Sequence, residues 1–201
     1  MSLKDAKINF LVDTATDLFM ARSVNEVTIK DIASAAQVGE ATLYRYFSNK
    51  QNIVIHAALK MQVLVNKDYF KLEKGKTGYE KLAIFYESYL QIFAKHPNYY
   101  KFLSEFDAYM ANDHSDDINR YENAINAYKN HYMDAYYLGL KDGSIKEQED
   151  IEMLYFATTH ALLELCKKLS NKAVLNQDLR IEKTSEIQCL INIVLNKIRI
   201  G

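Results

Sequence analysis

Residues 41–50, Ala-Thr-Leu-Tyr-Arg-Tyr-Phe-Ser-Asn-Lys, concentrate hydrogen-bond donors on one short stretch of the chain. Leu43 and Phe47 are four residues apart, so they share one face of a helix. The donors are left to point outward from that face, and they are Thr42, Tyr44, Arg45, Tyr46 and Lys50. Hydroxyl, guanidinium and ammonium groups bind phosphate oxygens, so this helix could lie on the anionic backbone of DNA.

A second short helix is predicted immediately upstream, over residues 28–36. Thr28 stands at its start and Asp31 follows three residues later, which is the pattern of a capping box. Residues 37–39 join the two helices. Two short helices with a tight turn between them form a helix-turn-helix, the motif that lays its second helix in the major groove of DNA. An amphipathic helix over residues 3–22 would pack against this motif.

The expected contacts with DNA fall into two groups. Side chains expected to donate hydrogen bonds to backbone phosphates are Thr28, Thr42, Tyr44, Tyr46 and Lys50, with Lys30 nearby. Side chains placed to meet base edges are Glu40, Ala41 and Arg45. A glutamate can accept from the cytosine amino group, and an arginine can serve either base or phosphate.

The charge balance restricts how the chain can bind DNA. Its formal net charge is −1, and residues 1–50 carry six basic and six acidic side chains. Bulk positive charge therefore cannot supply the affinity. A focused patch on a dimer that reads a specific site is favoured over non-specific coating.

Residues 28–50, with the helix before them, resemble the N-terminal DNA-binding domain of TetR-family transcriptional regulators. The matching positions are Thr28, Ile32, Ala33, Ala36, Val38, Leu43, Tyr44, Tyr46, Phe47 and Lys50. Three positions depart from the family pattern: Gln37 replaces a glycine in the turn, Gly39 a serine N-cap, and Ala41 a glycine of the second helix. A non-glycine residue in a left-handed turn and a glycine N-cap each weaken local stability slightly.

An all-α fold is expected from the composition. One proline and six glycines in 201 residues are few chain breakers, and no alternating strand pattern is present. The pattern predicts a three-helix helix-turn-helix domain over residues 1–50, a linking helix over 49–70 and a helical bundle over 71–201. Within the bundle, helices are predicted over 79–95, 98–111 and 117–140, the last ended by Gly139 and Gly143. The resemblance implies that the bundle binds an effector and forms the dimer.

Aromatic residues crowd the middle of the chain. Helical spacing makes most of them core residues, yet each buried tyrosine hydroxyl needs a hydrogen-bond partner, which makes tyrosine an awkward core residue. The cluster coincides with the region where TetR-family regulators keep their effector pocket. We predict a pocket for a planar or hydrophobic effector, lined by Phe85, Tyr89, Phe106, Tyr109, Tyr128, Tyr132 and Phe156. Glu105 would favour a cation only if it points inward.

Two apolar stripes mark the last predicted helices. One stripe contains Ile151, Leu154, Tyr155, Thr158, Leu162, Leu165, Cys166 and Leu169, and the other contains Ile187, Leu190, Ile191, Val194, Leu195 and Ile198. Each must be buried, either inside the monomer or in a four-helix interface between two subunits. The resemblance favours the interface of a homodimer, whose two-fold symmetry suits recognition helices one DNA turn apart on a palindromic operator.

Catalysis gains little support from the sequence. No glycine-rich phosphate loop, nucleophile elbow or zinc-type spacing is present, so no enzyme activity, cofactor or metal is expected. The acidic turn at residues 112–117, which includes His114, could bind a metal, but the preference for acidic residues at a helix N-terminus explains it. Cys166 and Cys189 are expected to be buried free thiols. The charged N-terminus and the lack of a roughly 20-residue apolar stretch favour a cytoplasmic protein with no membrane span.

Two functions of different classes fit these patterns. The first is a ligand-responsive transcriptional regulator, a repressor released from its operator by a small hydrophobic or aromatic effector. The second is a helical small-molecule-binding protein or enzyme in which the helix-turn-helix is only a scaffold. The outward face of residues 40–50 favours the first, because a scaffold has no reason to keep these donors together.

Overall fold

A computed structural model describes residues 2–70, 75–111, 116–173 and 175–200. Within these residues the regular structure is helical, apart from an isolated bridge between Ile145 and Arg199, which confirms the all-α prediction. The helices are α1 (Leu3–Ala21), α2 (Ile29–Ala35), α3 (Glu40–Tyr46), α4 (Lys50–Tyr69), α5 (Gly78–Lys95), α6 (Pro97–Met110), α7 (Asp116–Asp142), α8 (Ile151–Ser170) and α9 (Lys183–Ile198).

Local sequence signals explain where these helices begin and end. The Thr77 hydroxyl accepts the Glu80 N–H at the start of α5, while the Glu80 carboxylate accepts the Thr77 N–H, as in a capping box. These bonds to Thr77 lower the pKa of the Glu80 carboxyl. The helix ends at Lys95, and Pro97 is the first residue of α6, where its missing N–H leaves no bond unmade.

Helix α7 continues through Gly139, contrary to the prediction that this glycine ends it. The helix runs to Asp142, and Gly143 follows with a φ of 74°. Gly139 serves packing instead: a Cβ at Gly78 would lie 2.1 Å from the Gly139 nitrogen, and a Cβ at Gly139 would lie 2.3 Å from Ile145 Cδ1. Only glycine leaves the backbones of α5 and α7 room for this approach.

The chain forms two compact units. The first contains Met1–Leu64 and Lys101–Ala124, and the second contains Val65–Tyr100 and Ile125–Gly201. Helices α4, α6 and α7 therefore contribute residues to both units. The functional division drawn from the sequence, with a DNA-binding domain over 1–50 and an effector domain over 71–201, stays a prediction.

The first unit is built around the three N-terminal helices. Leu11, Ala15 and Phe19 form the buried face of α1, as its amphipathic pattern predicts. The ring centroid of Phe19 lies 6.3 Å from that of Phe102 on α6. Phe102 of α6 thus shares a core with α1.

The second unit packs α9 against α5 and α8. The buried side chains of α9 are Ile187, Ile191, Val194, Leu195 and Ile198, and those of the α8 stripe are Tyr155, Leu162, Cys166 and Leu169. The prediction that these stripes form a dimer interface is therefore wrong for these residues, because helices of the same chain already cover them.

The two cysteines differ in exposure. Cys166 is buried, as expected, and burial raises the pKa of its thiol to about 12. Cys189 is exposed, contrary to the expectation. It lies on the face of α9 that points away from the buried stripe.

Candidate nucleic-acid interface

Helix α3 presents its polar side chains to solvent. Leu43 and Phe47 are only 1% and 2% exposed, which confirms them as the apolar anchor. Tyr44 is 55% exposed. Glu40, Ala41 and Arg45 are exposed as well, whereas Thr42, Tyr46 and Lys50 are half-buried. The Arg45 guanidinium lies 5.0 Å from the centroid of the Tyr46 ring, so these two side chains present one joint surface.

The turn between α2 and α3 contains two of the departures from the family pattern, Gln37 and Gly39. Gln37 has a φ of 53°, the left-handed conformation for which glycine is favoured. Gly39 is the N-cap of α3 and supplies no side-chain hydrogen bond to the helix. The turn is closed by backbone bonds instead, among them the Val38 N–H to the Ala33 carbonyl at 2.9 Å.

Thr28 and Asp31 form the predicted capping box at the start of α2. The Thr28 hydroxyl accepts the Asp31 N–H at 3.1 Å and donates to the Asp31 carboxylate at 2.8 Å. The bonds from Thr28 lower the pKa of the Asp31 carboxyl. The hydroxyl hydrogen of Thr28 is thus bonded within the protein, and a phosphate contact from it would replace the bond to Asp31. Lys30, on the same helix, is exposed.

Lys50 bonds to the protein itself. Its ammonium group donates to the Val24 carbonyl at 2.5 Å and lies 5.0 Å from the centroid of the Tyr109 ring. Burial lowers the pKa of Lys50, and the negative charge of Asp31 opposes that shift. One bond does not exhaust the ammonium donors, so a phosphate contact by Lys50 is compatible with this geometry.

Glu105 belongs to this region although no sequence pattern pointed to it. Its carboxylate accepts the Val24 N–H at 2.6 Å, across 81 residues of sequence. The Lys101 ammonium lies 3.9 Å from the same carboxylate. No local signal marks a contact over such a distance, and the sequence allowed Glu105 only a role beside a cationic effector.

The family comparison covers the segment just described. Residues 11–57 match the family described as bacterial regulatory proteins, tetR family. This segment belongs to the TetR family. The chain is a DNA-binding transcriptional regulator, which confirms the function class predicted from residues 28–50.

Similar proteins extend the comparison to most of the chain. The HTH-type transcriptional repressor KstR2 of Rhodococcus jostii is 26% identical over 155 residues, which cover 76% of this chain and 74% of that protein. A transcriptional regulator from Saccharomonospora viridis in complex with choline has a TM-score of 0.77 at 18% identity, covering 98% of this chain and 100% of that one. FadR from Bacillus subtilis in complex with stearoyl-CoA has a TM-score of 0.70 at 17% identity, covering 94% and 98%. The two structures show a shared fold.

An aromatic cluster lies in the second unit of the chain. The predicted effector-contacting residues found in that unit are Phe85, Tyr89, Tyr128, Tyr132 and Phe156. Phe70, which the sequence did not single out, contacts Phe85 at 5.3 Å and Tyr128 at 4.7 Å between ring centroids. It follows directly on α4, so this helix brings an aromatic side chain into the cluster.

Buried tyrosine hydroxyls in the cluster find partners in one another. The Tyr86 hydroxyl donates to the Tyr132 hydroxyl at 3.1 Å and lies 2.8 Å from Thr158 Oγ1. Burial raises the pKa of both phenols. Hydrogen bonds inside the cluster thus satisfy some of the buried tyrosine hydroxyls, which explains in part why tyrosine occurs in this core.

Three predicted pocket residues are not buried members of the second unit. Phe106 and Tyr109 belong to the first unit, where Phe106 contacts Tyr121 at 4.8 Å between ring centroids. Phe156 is 39% exposed, and the Lys129 ammonium lies 5.0 Å from its ring centroid. The effector pocket as a whole stays a prediction.

Within residues 2–70, 75–111, 116–173 and 175–200 no three His, Cys, Asp or Glu side chains come together as a metal site would require. His114 and the rest of residues 112–115 lie outside the described residues, as do residues 71–74 at the start of the predicted bundle. No helix in the described part of the chain is long and apolar enough to cross a membrane.

Proposed function

We propose that this chain is a homodimeric repressor that binds a palindromic operator and is released by a small hydrophobic or aromatic effector. The proposal includes no catalytic step, cofactor or metal, and it includes a cytoplasmic location. The observation that carries it is the exposed donor face of α3 above a buried Leu43 anchor, within the segment that matches the family. The repressor among the relatives supports the direction of regulation.

The proposed DNA contacts keep the two groups drawn from the sequence. Phosphate contacts are assigned to Thr28, Lys30, Thr42, Tyr44, Tyr46 and Lys50, and base contacts to Glu40, Ala41 and Arg45. The exposure of Tyr44 and Arg45 supports the assignment, because neither side chain is used to hold α3 on its core. Phosphate contacts fix the register of α3 on the duplex, and the base contacts select the sequence.

A selection from a random-sequence duplex pool tests operator binding. The wild type should enrich a palindrome whose half-sites are about one helical turn, 10 bp, apart. Tyr44→Ala should weaken binding to that duplex about tenfold, since it removes a hydrogen bond to a charged phosphate. Tyr137→Ala is the matched control, because Tyr137 is 60% exposed and belongs to the second unit. An unenriched pool would contradict the proposed function.

The proposed dimer uses the outer faces of α8 and α9. Met153 on α8 and Ile193 on α9 are 64% and 62% exposed. Ala157 and Ala161 are also exposed and lie one turn apart on α8, where their small side chains permit close approach of another helix. An apolar face with small residues, left uncovered by the protomer, supports an interface with a second copy of the chain.

A charge in this face tests the dimer. Ile193→Glu should give monomers in sedimentation velocity, together with much weaker operator binding, because a charge would be buried without a partner. Val63→Glu is the control, since Val63 is 64% exposed on α4 and lies outside the proposed interface. An unchanged dimer in Ile193→Glu would contradict this interface. A substitution at Val194 could not serve, because that side chain is buried within the protomer.

The proposed effector binds among the aromatic side chains of the second unit that belong to the predicted pocket. Phe70 and the ring contacts around it support an aromatic or hydrophobic ligand. The choline and stearoyl-CoA complexes of similar structures support a ligand-binding function for this fold. Release from the operator requires that the effector prefer the DNA-incompetent arrangement, and a preference of about 100-fold corresponds to roughly 2.7 kcal/mol.

A ligand panel tests this part of the proposal. Fluorescence anisotropy of the selected duplex is followed while stearoyl-CoA, free fatty acids, choline and planar aromatic compounds are added in turn. At least one class should release the duplex, and Phe85→Leu should weaken that response while leaving DNA binding intact. Tyr137→Ala again serves as the exposed control. A panel in which no compound changes DNA affinity would contradict effector control.

A further inference from the structure

Val24 is a point at which three segments of the first unit meet. It lies between α1 and the N-cap of α2, and its side chain is fully buried. Its N–H donates to the Glu105 carboxylate at 2.6 Å, and its carbonyl accepts from the Lys50 ammonium at 2.5 Å. Charged side chains therefore hold both backbone polar groups of one loop residue, and charge-assisted bonds are the stronger kind.

The bond between Lys50 and Val24 joins the two ends of the helix-turn-helix. Val24 precedes α2, and Lys50 is the first residue of α4, just after α3. The turn between α2 and α3 is closed by backbone hydrogen bonds, but Gln37 has a positive φ and Gly39 offers no capping side chain. The bonds at the two ends of the motif therefore help to fix its position.

Helix α6 contacts both partners of that bond. Glu105 accepts the Val24 N–H, and Tyr109, four residues later, places its ring beneath the Lys50 ammonium. Residues four apart lie on one face of a helix, so a single face of α6 holds both ends of the motif. A different set of α6 side chains, Phe102 and Phe106, packs into the core of the first unit.

We propose that Glu105 is a positioning residue for DNA binding, which sets the place of the helix-turn-helix through its bond to the Val24 N–H. The role rests on the proposed function, because it concerns how the motif is held for an operator. Glu105 acts through Val24 and makes no contact with DNA. Its removal leaves a buried N–H without a partner, so the loop before α2 must move to regain one.

The test compares Glu105→Ala, Glu105→Gln and Lys101→Ala, with the duplex that the wild type enriches from a random-sequence pool as probe. Glu105→Ala should bind it about tenfold more weakly at a temperature where circular dichroism shows the variant fully folded. The salt dependence of binding should stay unchanged, since no phosphate contact is lost. Hydrogen exchange at the Val24 amide should become faster.

Glu105→Gln keeps a neutral acceptor, so it should fall between wild type and Glu105→Ala in both affinity and Val24 exchange. Lys101→Ala, which leaves the carboxylate in place, should match the wild type. Wild-type affinity in Glu105→Ala overturns the proposal, and so does an equal loss in Lys101→Ala or a loss accounted for by unfolded protein. If Glu105→Ala does not fold, Glu105→Gln decides: wild-type affinity or wild-type Val24 exchange overturns the role.

The two proposals fail in different ways. If the wild type enriches no duplex, the proposed function fails, and the role of Glu105 in DNA binding fails with it. If the wild type binds its duplex and Glu105→Ala binds it equally well, only the positioning role is refuted.

Discussion

Substitution of Lys50 by alanine separates two roles of one side chain. The structure gives Lys50 a bond to the Val24 carbonyl and a position over the Tyr109 ring. A hydrogen bond from a charged donor contributes about 1.5 kcal/mol at the lower end of its range, and a partly exposed cation–π contact about 0.5 kcal/mol. Lys50→Ala should therefore lower the free energy of unfolding by about 2 kcal/mol. For a chain of this length that corresponds to a fall in Tm of about 4–8 °C.

The phosphate role of Lys50 has a different measure. If its remaining N–H donors bind a phosphate, each lost contact lowers the slope of log K against log salt by about 0.9. Operator affinity is measured by anisotropy at several salt concentrations, well below the Tm of the variant. Lys50→Arg keeps the charge, so it should retain the salt slope. Its planar guanidinium does not reproduce the geometry of the ammonium group, so its Tm should be lower than that of the wild type.

Each role can be refuted alone. An unchanged Tm in Lys50→Ala would show that the bond to Val24 adds no stability, and the reasoning from its 2.5 Å geometry would be wrong. An unchanged salt slope would remove Lys50 from the phosphate contacts while leaving its place beside Val24. A fall in both quantities is the expected result.

Three further substitutions have definite outcomes. Gln37→Gly should raise Tm by a few degrees, because the left-handed φ costs a non-glycine residue about 1 kcal/mol, and a lower Tm would contradict the strain. The pKa of Asp31 is lowered from 3.8 by its bonds to Thr28, so its stabilisation is present above about pH 4 and is lost as pH falls through the folded-state pKa. The difference in Tm between wild type and Asp31→Asn should therefore narrow as pH falls below 4, and a constant difference would exclude the carboxylate as its source. Gly78→Ala should lower the free energy of unfolding in urea by about 3 kcal/mol, since its Cβ would lie 2.1 Å from the Gly139 nitrogen, whereas an unchanged midpoint would show that α5 and α7 can separate freely.

Helix boundaries could be predicted because the signals that set them are local. The predicted helix over 49–70 is observed at Lys50–Tyr69, and the one over 79–95 at Gly78–Lys95. Caps such as Thr28 and Thr77 act within three residues, and Pro97 acts on its own helix turn. Gly139 is an exception, because a glycine inside a helix can also allow close packing against a residue distant in sequence, here the Gly78 backbone.

The surface that covers an apolar stripe could not be predicted, because that surface comes from residues distant in sequence. The spacing of Ile187, Ile191 and Val194 requires that this face be buried, but it does not say which surface covers it. In the structure α9 contacts α5 and α8 of its own chain, so a stripe read as a dimer interface belongs to the core. The bond between Glu105 and Val24 is harder still to predict from the sequence, since neither residue type indicates a partner 81 positions away.

The recognition helix α3 owes its order to tertiary contacts. It has seven residues, whereas isolated helices shorter than about 12–15 residues are marginal in water. Its N-cap adds no side-chain bond, so it is held by Leu43, by Phe47, whose ring meets His56 at 5.4 Å between centroids, and by the Lys50 bond that follows. When the contacts at the ends of such a helix change, the relative populations of its possible positions change as well. Weak local stability in α3 is therefore the physical condition on which the proposed effect of Glu105 on DNA affinity depends.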